Sequence, residues 1–148
     1  MITDKFTLTR ADNIFVAKKY LKDSVYRSAF LEGIAVTFPQ TEAILENAAV
    51  SGVSPKDVSK VFGLRDGWQY ILNNLDTPVT LRTQPFLDGN KRVGTLVGNL
   101  LLVSYGRGIF SLPPDLKPPF TEQLVAFYES GIPDTLKDFI WEYCLTGL

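Results

Sequence analysis

The sequence predicts an all-α protein. Apolar residues recur at three- and four-residue intervals in successive stretches. Helix start and stop residues bracket those stretches. Strand-like alternation is scarce, and residues 78–82 are the only weak candidate.

Thr9 precedes Ile14, Phe15, Ala17, Leu21, Val25 and Phe30, whose spacing predicts one helix over residues 10–31, stopped by Gly33 as a left-handed cap. A second helix is expected over 39–47, with Thr41, Ile44 and Leu45 on its inner face. Ser54-Pro55-Lys56-Asp57 is a start signal: a side-chain N-cap, proline at the first helical position and an acid in the first turn. That helix should end near Gly63. A separate one should follow over 65–75, with Trp68, Ile71, Leu72 and Leu75 on one side. An apolar helix over 91–105 is closed by Gly106 and Gly108. Pro113-Pro114 and Pro118-Pro119 punctuate a loop, and helices are expected over 121–129 and 134–145. Trp68, Tyr70, Phe127, Phe139, Trp141 and Tyr143 read as core or helix-packing residues, and Lys18, Lys19 and Lys22 as a solvated face.

Composition narrows the function classes. A chain of 148 residues with 45% hydrophobic residues has enough apolar material for a core, and no linker or repeat divides it, so 1–148 reads as a single domain. A net charge of −1 offers no electrostatic grip on nucleic acid or on a membrane surface. The longest apolar stretch, over 93–103, is interrupted by Gly94, Thr95, Gly98 and Asn99 and is too short to span a bilayer. The N-terminus lacks a signal pattern. The single cysteine, Cys144, reads as a buried small hydrophobe, and with no internal disulfide available a cytoplasmic setting is expected. The absence of histidine excludes histidine-based triads, metal ligands and acid–base steps.

The candidate site is Gln84-Pro85-Phe86-Leu87-Asp88-Gly89-Asn90-Lys91-Arg92, a turn leading directly into the helix over 91–105. Free N–H groups at a helix start, with the positive end of the dipole behind them, attract anions. Gly89 lets the backbone approach a phosphate. Asn90 turns the chain and donates an amide hydrogen. Lys91 and Arg92 add cations, Arg92 with bidentate geometry. Asp88 is suited to Mg²⁺, which takes one or two carboxylates together with phosphate oxygens. Phe86 anchors the loop. The plainer alternative is an ordinary Asp-Gly-Asn turn followed by a solvated Lys-Arg pair.

This segment resembles the signature of the Fic/Doc family, His-x-Phe-x-Asp/Glu-Gly-Asn-Gly/Lys-Arg, and departs from it only at the first position. Upstream, Leu64-Arg65-Asp66-Gly67-Trp68-Gln69-Tyr70-Ile71-Leu72 is similar to the helix that family members place before the site. Ser28-Ala29-Phe30-Leu31-Glu32-Gly33 is similar to the Ser/Thr-x-x-x-Glu-Gly motif of self-inhibited members. The resemblance implies a Fic-type helical domain over 1–148, with an inhibitory-type helix over 10–33 and a phosphate-binding loop that opens a central helix over 84–105. It implies binding of ATP with Mg²⁺ and transfer of AMP to a hydroxyl of a target protein. In the Doc branch, from toxin–antitoxin systems, the nucleotide is reversed and the terminal phosphate moves instead. Lys91 points to the second chemistry, Gly89 and Glu32 to the first. By position Asp88 maps to the metal ligand, and Gly89, Asn90, Lys91 and Arg92 to the nucleotide cradle. Gln84 maps to the general base, and Ser28 and Glu32 to the inhibitory motif. A homodimer is compatible with the family.

Three departures shape the expectation. Gln84 cannot accept a proton near neutral pH, and loss of a base costs on the order of 10²–10⁴ in rate. The chain is therefore either an impaired transferase or a pseudoenzyme acting as a nucleotide-regulated binding module, with Gln84 a hydrogen-bonding replacement for imidazole. Thr95 stands where many members carry a second arginine that pairs with the inhibitory glutamate. Glu32 either blocks the γ-phosphate pocket, with Arg92 as its nearest substitute partner, or is an ordinary helix-end residue. Finally, only residues 73–83 separate the upstream helix from the motif. The target-docking flap is then missing, or the chain is interrupted near Leu81 and Arg82.

Overall fold

The computed structural model describes residues 5–76 and 90–147, and the side chains of 90–92 lie outside that description. The described chain is mainly helical: α1 (Arg10–Lys19), α2 (Leu21–Leu31), α3 (Phe38–Leu45), α4 (Pro55–Asn73), α5 (Asn90–Ser104), α6 (Lys117–Ser130) and α7 (Asp134–Phe139). Two short strands, β1 (Ile109–Phe110) and β2 (Leu145–Thr146), pair antiparallel, with Ile109 opposite Thr146 and Phe110 opposite Leu145.

The expected first helix is two. It bends at Tyr20 (φ −94°, ψ 10°) because its halves follow different partners. α1 lies on α5 and β1, and α2 lies on α3 and α4. The inward face of α1 is also shifted from the expected one. Asn13, Val16 and Ala17 are buried, whereas Phe15 is 60% exposed. Thr9 caps α1 as expected, accepting from the Asp12 N–H at 3.1 Å, and Gly33 turns the chain at φ +74°. Lys18 and Lys19 are exposed, but Lys22 reaches α3 and pairs with Glu46 at 2.6 Å and Glu42 at 3.4 Å.

α3 begins with a capping box, in which Thr37 and Gln40 satisfy each other's backbone N–H groups, and it buries Thr41 and Ile44. α4 starts at the Ser54–Pro55 signal but does not stop at Gly63. It continues as one helix to Asn73. Interior glycines cost about 1 kcal/mol each. Against this, Val61, Leu64, Trp68 and Ile71 form one unbroken inward stripe, and a fully buried large apolar side chain contributes about 1.5–3 kcal/mol. Burial wins. Gly67 has a further use, since a Cβ there would stand 2.6 Å from a methyl of Leu96; its absence lets α5 lie close on α4.

The core gathers around α4: Val25 and Ala29 from α2, Ile44 from α3, Leu100 and Val103 from α5, and Ile109 from β1. Trp68 is fully buried, as expected of a core aromatic. Phe127, Phe139 and Trp141 are half-buried, while Tyr143 is 48% exposed and packs on Phe139 at 5.1 Å between ring centroids. Tyr70 departs from the expectation: it is 62% exposed, on the side of α4 turned away from the buried stripe.

Pro118-Pro119 is not a loop. Both residues sit in the first turn of α6, where a missing N–H has no intrahelical acceptor to lose, so α6 begins four residues earlier than expected. The last helix is shorter than expected. After Phe139 it widens into a π-type turn (Ile140–Cys144) and ends in β2. The weak strand candidate at 78–82, Leu81 and Arg82 lie outside the described residues.

Candidate functional site

Helix α5 opens at Asn90, so the described chain enters its helix within the Asp88–Arg92 segment. Its first-turn N–H groups have no acceptor within the helix, which is the property an anion site requires. Gln84, Asp88 and Gly89 lie outside the described residues, as do the side chains of Asn90, Lys91 and Arg92. What is described is the frame that holds the middle and the far end of this helix.

That frame is specified by polar groups. Asn99 is fully buried on α5. Its amide accepts from the Phe110 N–H at 2.7 Å and donates to the Phe110 and Thr95 carbonyls at 3.0 and 3.1 Å. One side chain thus serves β1 as a second neighbouring strand would. Asn13, also fully buried, donates to the Leu102 and Gly108 carbonyls at 3.0 and 3.2 Å and ties α1 to the end of α5 and to the turn that follows it. The Ser104 hydroxyl lies between Leu100 O at 2.7 Å and Leu75 O at 2.9 Å, which sets α5 against the residues that follow α4. At Gly106 (φ +67°) an added Cβ would run into Leu8 O.

The C-terminal end of α2 approaches the same helix. Arg27, Ser28 and Leu31 from α2, Thr95 from α5, Phe110 from β1, and Ser111 and Leu112 just after it line one crevice of about 10 Å³. A space of that size holds about one water. Ser28 and Thr95, far apart in sequence, are thereby brought together. The Arg27 Nε lies 2.6 Å from the Asp23 carboxylate one turn earlier. Ser111 is 6% exposed, and its hydroxyl has no hydrogen-bond partner among the described residues. Glu32 follows as the C-cap of α2, and one of its carboxylate oxygens is buried. Lys117 secures this end of α2: its ammonium donates to Phe30 O at 2.9 Å and lies 5.2 Å from the Phe30 ring centre, a favourable place for a cation at a helix C-terminus.

Arg27 and Ser111 were not among the residues singled out from the sequence. Arg27 adjoins Ser28, so its place could have been read from the motif. Ser111 follows a two-residue strand and carries no local signal. Cys144 is fully buried as expected, and desolvation pushes its thiol up to about 11. Among the described residues no group of three His, Cys, Asp or Glu is placed to hold a metal ion, and no helix is long and apolar enough to cross a membrane. Compared with protein-family models, curated proteins and solved structures, the chain matches none.

Proposed function

We propose that this chain is a nucleotide-binding protein of Fic/Doc type. In this reading Gly89, Asn90, Lys91 and Arg92 cradle the phosphates of ATP, and Asp88 holds Mg²⁺. The metal would supply charge neutralisation at the phosphates. The observation that supports the reading is that Ser28, from the second motif, shares one crevice with Thr95 on α5, the helix that follows the loop motif in sequence. A helix starting at Asn90 has first-turn N–H groups without intrahelical acceptors, which suits an anionic ligand.

Transfer of AMP, or of a terminal phosphate, to a protein hydroxyl is expected to be slow, because Gln84 cannot take the hydroxyl proton. A second reading rests on that same residue: a pseudoenzyme that binds nucleotide and regulates a bound protein. Gln84→His separates the two. Under the impaired-enzyme reading, label transfer from ATP rises by on the order of 10²–10⁴ when the base is restored. Intact nucleotide binding without any transfer in Gln84→His assigns the pseudoenzyme role.

A further inference from the structure

We propose that the outer face of α6 docks a cationic amphipathic helix from a partner protein. The argument begins with the two-sided apolar character of this helix. One side, with Phe120, supports the fold: Phe120 packs between Phe110 and Phe139 at 6.2 and 6.3 Å. A second stripe faces solvent. Val125 and Tyr128 are 47% and 65% exposed and lie three residues apart on one side of the helix; Ile132, 60% exposed, follows just past the left-handed cap at Gly131. Toward the N-terminus this side of the helix runs into a shallow open groove of roughly 640 Å³, lined by Lys117, Pro118, Thr121, Glu122 and Val125. A helix of this length with no fully buried residue and apolar side chains on two faces has one face left without a neighbour.

Charge identifies the occupant. Glu122 and Glu129 flank the stripe, two helical turns apart. Asp23, Glu42, Glu46, Asp57, Asp66 and Asp76 all pair with cations, whereas no ion pair among the described residues engages Glu122 or Glu129. From Phe120 onward the chain carries five carboxylates against one lysine. The same charges disfavour a second copy. A two-fold antiparallel pairing centred on Val125 and Ala126 sets the Glu122 of each copy against the Glu129 of the other, a like-charge contact at both ends. A helix with apolar residues at i and i+3 or i+4, flanked by lysines or arginines, meets Val125, Tyr128 and both carboxylates.

The test uses the whole protein and a fluorescent synthetic helix with that leucine–lysine pattern, alongside a version with glutamate for every lysine. Anisotropy titrations at low and high salt should show binding of the cationic peptide that weakens with salt, and none of the anionic peptide. Val125→Ser with Tyr128→Ser should abolish binding while the circular dichroism spectrum of the folded protein is retained, because neither side chain belongs to the core. Glu122→Lys with Glu129→Lys should weaken the cationic peptide about tenfold or more and admit the anionic one. The proposal is overturned if neither peptide binds, if both bind alike, or if the stripe variants bind as well as the parent. It is equally overturned if sedimentation shows a dimer that the serine variants dissociate, which would make a second copy the occupant.

Discussion

Replacing Asn99 by leucine tests whether one buried amide holds the site's frame together. The side chain is fully buried, and Phe110 depends on it for both an acceptor (2.7 Å) and a donor (3.0 Å). Leucine has the same number of side-chain heavy atoms in the same branched arrangement but neither function, so the Phe110 N–H and C=O on that edge lose their partner. A buried backbone group left unsatisfied costs about 1–3 kcal/mol, and the added apolar burial returns about 1 kcal/mol. The expected net loss is roughly 2–4 kcal/mol, a large part of the ~5–15 kcal/mol by which domains are stable. At about 2–4 °C per kcal/mol for a chain of this size, the melting temperature falls by on the order of 5–15 °C. The assay is urea unfolding followed by circular dichroism, where a lower midpoint at unchanged slope reports stability alone. Asn74→Ala is the control, since its amide donates to Tyr70 O at 2.8 Å on an exposed helix end and should cost no more than about 0.5 kcal/mol. If Asn99→Leu loses no more than the control, the amide bridge does not hold α5 to β1, and the frame of the site must be explained otherwise.

Three further predictions follow from the same packing. In α4, an added Cβ at Gly63 meets open space while one at Gly67 meets Leu96; Gly63→Ala should gain about 0.5–1 kcal/mol and Gly67→Val lose about 1–3 kcal/mol, and equal effects in thermal melts would contradict the close α4–α5 contact. The Cys144 thiol, raised to about 11 by desolvation, should carry roughly a hundredfold less thiolate at pH 8 than a free thiol, so a thiol reagent should label it only once denaturant is added; rapid labelling of the folded protein would refute its burial. The Asp57 carboxyl is held below the usual carboxylate range by hydrogen bonds from Lys60 and then Ser54; because the folded value is the lower one, its contribution is complete above the unfolded pKa and fades as pH falls through the folded one. Asp57→Asn should therefore lessen the acid sensitivity of the urea midpoint below about pH 4, and an unchanged acid limb would show that the lysine contact does not persist in solution.

The helical class, the start of α1 at Thr9, the cap of α4 at Ser54 and the opening of α5 near Lys91 were legible because capping and periodicity are local properties. Errors arose where tertiary contacts overrode local signals. Gly63 looks like a stop until the 61/64/68/71 stripe is seen to continue through it. Tyr20 carries no breaking signal, and the bend there exists because α1 and α2 serve different neighbours. Pro118-Pro119 suits a loop or a first helical turn equally well. Asn13 and Asn99 were invisible as structural residues, since periodicity arguments assign inward places to apolar side chains and both amides face carbonyls distant in sequence. At the candidate site the sequence supplied the loop and the Ser28/Glu32 motif. Only the fold joins Ser28 to Thr95 and adds Arg27 and Ser111 to the crevice.

The central claim is that the loop before α5 holds a nucleotide. Calorimetric titration with Mg-ATP tests it most directly, using the parent protein, Asn90→Ala, and Glu32→Gly to remove any self-block. The account predicts micromolar to low-millimolar binding to the parent, tighter or unchanged in Glu32→Gly and abolished in Asn90→Ala. Absence of heat in both the parent and Glu32→Gly would contradict it, and so would binding that survives Asn90→Ala.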